Sequence, residues 1–157
     1  MNGELRQLLA MIDEAFSGKA WHGPTLRGSL KGIGPREASW RPGRGRHSIR
    51  EIVLHAAYWK YTVRRRLSGE ARGSFRLKGH NFFPRTGRAG ETSWKEEVAI
   101  LESEHALMRA AIVRGGTRAM RARAGRTLRG EALIRGIAAH DLYHAGQVRL
   151  IRRLMRR

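Results

Sequence analysis

The chain has 157 residues, with 32 Lys+Arg against 13 Asp+Glu, a formal net charge of +19 and no cysteine. Its length suits one domain, spanning 1–157, that buries roughly two-thirds of the surface its unfolded form exposes. The lack of cysteine excludes disulfides, thiolate metal ligands and a cysteine nucleophile, so any thiol chemistry uses a borrowed thiol.

From Glu4 to Phe16 the apolar residues Leu5, Leu8, Leu9, Ile12 and Phe16 recur at spacings of three and four, which predicts a first amphipathic helix ending at Ser17-Gly18. Residues Lys19 to His47 are broken by glycine and proline and read as an ordered loop, with a helical turn near Thr25 to Leu30 and with Trp21 and Trp40 pinning it to the body. Ser48-Ile49-Arg50-Glu51 has capping-box spacing and starts a second helix that runs to about Leu67. Its core stripe is Ile49, Ile52, Val53, Ala56, Trp59, Val63 and Leu67, with His55 at the margin. The next loop, Ser68 to Glu91, is anchored by Phe82-Phe83 and is long enough for the second and third helices to run parallel. A second capping box, Ser93-Trp94-Lys95-Glu96, opens the third helix, whose face of Val98, Leu101, His105, Met108 and Ile112 stops at Gly115-Gly116. A basic connector, Thr117 to Arg126, leads to a fourth helix from Thr127 to Leu154. Four amphipathic helices without a convincing strand predict an all-α four-helix bundle with long first and second connections.

Nowhere are there the roughly 18 apolar residues that a membrane span needs. The opening Met1-Asn2-Gly3-Glu4-Leu5-Arg6 has no basic region followed by an apolar stretch, so a soluble, cytoplasmic protein with no membrane partner is expected.

The fourth helix carries Leu133, Ile137, His140, His144, Val148, Ile151 and Met155 on one stripe, so two imidazoles interrupt an apolar face. Histidines at i and i+4 stand about 5–6 Å apart at Cβ and can reach one metal ion, with a third ligand from a facing helix. His55 completes a set of three neutral nitrogens with a position left for water or substrate, the arrangement of a catalytic site. Zinc or nickel comes first, and iron, cobalt and manganese are also compatible. Asp141 and Gln147 either orient the ligand rings through hydrogen bonds or, for Asp141, pair with an arginine. Tyr143 is an acid or, by preference, a packing residue, and Gly146 permits close helix approach. His105 reads as a buried, hydrogen-bonded core residue or, from its place on the core stripe, as one facing the same cavity, while His22, His47 and His80 lie in loops without a spacing signal.

The run His47-Ser48-Ile49-Arg50-Glu51-Ile52-Val53-Leu54-His55-Ala56-Ala57-Tyr58-Trp59, followed by Ala139-His140-Asp141-Leu142-Tyr143-His144-Ala145-Gly146-Gln147, resembles the DinB/YfiT-like superfamily. Trp21-His22-Gly23-Pro24, Phe83-Pro84 and Trp94 extend the similarity over nearly the whole chain. The resemblance implies a four-helix bundle whose divalent metal is held at His55, His140 and His144. It also implies a frequent homodimer and, in members of known activity, low-molecular-weight-thiol chemistry such as bacillithiol transfer or mycothiol-dependent isomerisation. The expected function is therefore a metal-dependent thiol S-transferase or a hydrolase, with a metal-bound water or thiol as the reacting group and a small molecule as substrate.

The strong positive charge departs from that pattern. It is either a solvated arginine coat or the footprint of a non-specific nucleic-acid partner, met by the last helix and its basic connector. Against a dedicated nucleic-acid module, no groove-reading motif appears and the tryptophans look structural. A catalytically inactive dimeric scaffold is the remaining alternative.

Overall fold

In the computed structural model, which describes residues 2–124 and 128–156, each apolar period becomes a helix whose ends are set by local chemistry. Helix α1 (Gly3–Phe16) opens where the Asn2 side chain accepts from the Leu5 amide at 2.8 Å, and Leu5, Leu8, Leu9, Ile12 and Phe16 all turn inward. The following loop contains two short helices, α2 (Leu26–Ser29) and α3 (Pro35–Ser39). Trp40 packs half-buried on the core, but Trp21 is 95% exposed and pins nothing; Leu26, Leu30 and Ile33 anchor this segment instead.

Helix α4 (Ile49–Ser68) carries both bonds of its predicted capping box: the Ser48 hydroxyl accepts from the Glu51 amide and the Glu51 carboxylate accepts from the Ser48 amide at 3.0 Å. Glu51 also receives the Arg41 guanidinium at 2.6 Å and the Arg85 amide at 3.0 Å, so one buried carboxylate ties two loops to the start of α4. Those donors draw its carboxyl below its usual range, against the opposing effect of burial.

Helix α5 (Glu91–Arg121) departs from expectation at both ends. Gly90 is its N-cap, and the Ser93 hydroxyl donates to the Gly90 carbonyl at 3.1 Å instead of capping. The helix starts early because Trp94, buried with its indole donating to the Ile33 carbonyl at 2.8 Å, already lies within the first turn. Gly116, with φ 53° and ψ −136°, kinks the helix where a stop was predicted, a conformation open essentially to glycine alone. Helical structure then resumes and buries Ala119 and Met120. The first half of the expected basic connector, 117–121, is therefore helical, and its later part enters a minimal antiparallel pair, β1 (Arg123–Ala124) with β2 (Leu128–Arg129). Arg126 and Thr127, the predicted end of the connector and start of the last helix, lie outside the described residues.

Helix α6 (Gly130–Met155) begins at a glycine that cannot be replaced freely: a Cβ there would stand 1.8 Å from the Ala119 carbonyl oxygen. Six helices, four of them long, thus stand among the described residues where four were predicted. Arg50 meets Glu97 near the starts of α4 and α5, and Arg64 meets Glu104 further along both, so these helices run parallel. Gly130 lies beside Leu67 at the far end of α4 while His140 meets His55 nearer its start, so α6 runs antiparallel to α4. The core falls into two clusters. One joins α1 to α5, α6 and the last turns of α4; the other joins α4 to the loop helices, the first turns of α5 and the later turns of α6. No described helix is long and apolar enough to cross a membrane.

Candidate metal centre

His55 sits two turns into α4, and His140 and His144 sit on successive turns of α6, so all three side chains hang from hydrogen-bonded backbone. Antiparallel packing brings them together. The Nε2 atoms of His55 and His140 are 3.1 Å apart, as are those of His144 and His140, and one ligand atom from each residue lies within 4.8 Å of the others.

The rings are held from behind. His55 Nδ1 donates to the Asn81 carbonyl at 3.1 Å, and His144 Nδ1 donates to Gln147 Oε1 at 2.7 Å. Each bond places the ring proton on Nδ1 and leaves a bare lone pair on Nε2. His140 Nδ1 is buried without a partner. Three nitrogens therefore meet with at most one proton among them, and that proton cannot satisfy both 3.1 Å contacts in good geometry. A shared cation removes the conflict, because two nitrogens each about 2.1 Å from one ion at a tetrahedral angle stand about 3.4 Å apart. Burial, reinforced by the neighbouring imidazoles, pushes His55 down to about 4 and His140 to about 3; burial also lowers His144. All three are thus neutral near pH 7, the state in which imidazole binds metal.

The cluster lies at the wall of a cavity of about 940 Å³. Ile52, Trp59, Phe82, Leu150, Ile151 and Leu154 give it an apolar surface, with Arg46, His47 and Tyr143 among its polar lining. Phe82 is sandwiched between His47, at 3.7 Å, and His55, at 4.0 Å, so the phenylalanine read as a loop anchor is part of the site. Asn81 was missed by sequence reasoning. Its φ of 61° turns the carbonyl toward His55 while its side chain accepts from the Trp59 indole at 3.0 Å. The available signal was an asparagine in a glycine-broken loop, the residue type that best tolerates left-handed backbone after glycine.

Several expectations are corrected. Asp141 bonds no ring: one residue beyond His140 it points about 100° around the helix, into the core, where it pairs with the fully buried Lys60. Burial drives the Lys60 ammonium down and the Asp141 carboxyl up, so each relies on the other to stay charged. Tyr143 does not pack inside; it is 64% exposed, with its ring edge-on to His144 at 5.1 Å. Gly146 makes no close approach, since nothing lies within 4 Å of where its Cβ would stand. His105 is buried as expected, but its Nδ1 has no hydrogen-bond partner; the ring stacks on Phe16 at 3.7 Å and is not among the three convergent histidines. His47 reaches the cavity, whereas His22 and His80 are exposed and outside it.

The fold and the site define a helical protein with three convergent imidazoles that could hold one metal ion. More narrowly, this chain belongs to the DinB superfamily, whose family model matches residues 20–148. That membership and the three-histidine group together fit a metal-binding member. Neither the curated proteins nor the solved structures yield a match to it.

Proposed function

We propose that this protein is a metal-dependent enzyme, a single four-helix-bundle domain in which His55, His140 and His144 hold one divalent ion, zinc or nickel before iron, cobalt or manganese. The reaction is transfer of a low-molecular-weight thiol to an electrophile, or hydrolysis. One observation carries the reading: three Nε2 atoms, with at most one proton among them, converge at 3.1 Å contacts on the wall of a large, mainly apolar cavity. When bound, such an ion supplies Lewis acidity, easing loss of a proton from a water or thiol that enters the cavity.

The chain's own residues do the rest. Asn81 and Gln147 hold the His55 and His144 rings in one tautomer, which keeps both lone pairs aimed into the same space. The walls of Ile52, Trp59, Phe82 and Leu150 exclude water from one side of the substrate and strengthen polar contacts made there. Tyr143, exposed at the cavity lining with its ring edge-on to His144, is the nearby hydroxyl available as an acid for a leaving group. With no cysteine in the chain, a thiol nucleophile must arrive as a co-substrate. The superfamily resemblance supports a homodimer as the working assembly.

Metal content decides the reading first. Protein purified without a metal-affinity column is expected to retain close to one ion per chain, and His144→Ala to lose it; equal trace amounts in both overturn the proposal. Thiol consumption with electrophiles, compared with ester and amide hydrolysis, then separates the two reactions. Turnover that survives His55→Ala counts against a metal-dependent step.

A further inference from the structure

A second cavity, of about 600 Å³, lies between the outer face of α4 and the loop of residues 72–80. Trp59 lines both cavities, but the histidine cluster belongs only to the first. Tyr58, Tyr61 and Phe75 are in mutual ring contact, with centroids 5.4–6.0 Å apart and planes inclined by 39–84°, and give the second cavity an aromatic lining in which Tyr58 and Phe75 are half-buried and Tyr61 is buried. The loop is held in place by the Gly73 amide, which donates to the Tyr61 hydroxyl at 3.0 Å, and by Phe75 and Leu77 packing on the core.

Cations from two separate segments converge here: Arg65 and Arg66 from α4, Arg72 and Lys78 from the loop. None of these four side chains has an ion-pair partner among the described residues, and no described carboxylate lines the cavity. The nearby Glu70 is taken by Arg64 and the Ser68 hydroxyl. Four like charges around one concavity raise its positive potential and favour a ligand carrying several negative charges. The half-buried rings of Tyr58, Trp59 and Phe75 each offer π-surface to a planar apolar group on the same ligand, since stacking and cation–π contact reward a flat π-face. The arginine-lined groove at the end of α6 lacks this second feature, having Leu150 as its single apolar residue and Arg152 already engaged by Glu37.

We propose that this cavity binds a nucleotide, its base against the aromatic lining and its phosphates among Arg65, Arg66, Arg72 and Lys78. The ligand is either a free nucleoside polyphosphate or a nucleotide within a single strand. The proposal is independent of the metal reading.

The test is calorimetric titration of the intact chain at about 150 mM salt with ATP, inorganic tripolyphosphate, adenosine and a short oligo-dT strand. ATP or the strand is expected to bind at least about tenfold more tightly than tripolyphosphate or adenosine. Arg72→Ala with Lys78→Ala should weaken that binding about tenfold or more, whereas Arg149→Ala with Arg153→Ala, which removes the same charge elsewhere, should change it less than about twofold. Binding of ATP alone assigns the site to a free nucleotide; tighter binding of the strand, lost in the first double variant, assigns it to a nucleic-acid chain. Tripolyphosphate matching both ring-bearing ligands, or equal losses in the two double variants, overturns the proposal. Should the first double variant not fold, the comparison of ligands on the unaltered chain still decides. Repeating the titration on His144→Ala keeps phosphate captured by a metal ion out of the result.

Discussion

His105 stacks on Phe16 within the core, and burial, with the charge of Lys60 adding to it, pushes its imidazole down to about 3. The unfolded chain takes up a proton near the ordinary value of about 6.5, so the fold is favoured above that pH. As pH falls from about 6.5 toward 3 the unfolded state gains a proton that the folded state refuses, and stability drops by up to about 1.4 kcal/mol per unit. His105→Leu should therefore flatten the dependence of the urea midpoint on pH between 6 and 4 relative to the parent chain; an unchanged slope would contradict the assignment. Gln147 acts differently, by fixing the proton of His144. Gln147→Ala is expected to weaken metal affinity about 10–100-fold, read by competition with a chromogenic chelator, while leaving the helical circular dichroism intact.

Between helices, the deepest polar contact is Lys60 of α4 with Asp141 of α6, exposed by 0% and 1%. It spans the two helices that carry the three imidazoles, so it holds their relative register. Lys60→Met alone leaves a buried carboxylate without a counter-charge and should cost about 3–5 kcal/mol. Adding Asp141→Leu should restore most of that loss, because two well-packed apolar side chains need no partner. Chemical denaturation of the two single variants and the double variant closes this cycle, and additive losses would show that the pair is not coupled. The Arg50–Glu97 contact, bidentate at 2.7 and 2.8 Å and joined by Arg85, does the same for α4 and α5.

Across the entire surface the excess of 32 basic over 13 acidic residues creates a field that attracts any polyanion. Duplex DNA fragments of unrelated sequence should bind equally at low salt, with log affinity falling linearly as log salt rises. A strong preference for one duplex would instead require a groove-reading element, and the described helices present none with such a motif. This field differs from the proposed nucleotide cavity, where ring and phosphate are needed together.

Much of this was legible in one dimension. Helical periodicity, the Ser48–Glu51 capping box and the i, i+4 spacing of His140 and His144 are local, because a helix places residues three and four apart on one face whatever surrounds it. Local pattern was less reliable at α5, where burial of Trp94 outweighed a good capping motif and Gly116 bent a helix rather than ending it. What no local pattern contains is the meeting of distant segments. The side of α6 on which Asp141 finds Lys60, the Asn81 carbonyl behind His55 and the four unpaired cations around Tyr58 and Phe75 join residues far apart in the chain. Such contacts depend on how the helices pack and where the loops cross them, and only the assembled core decides that.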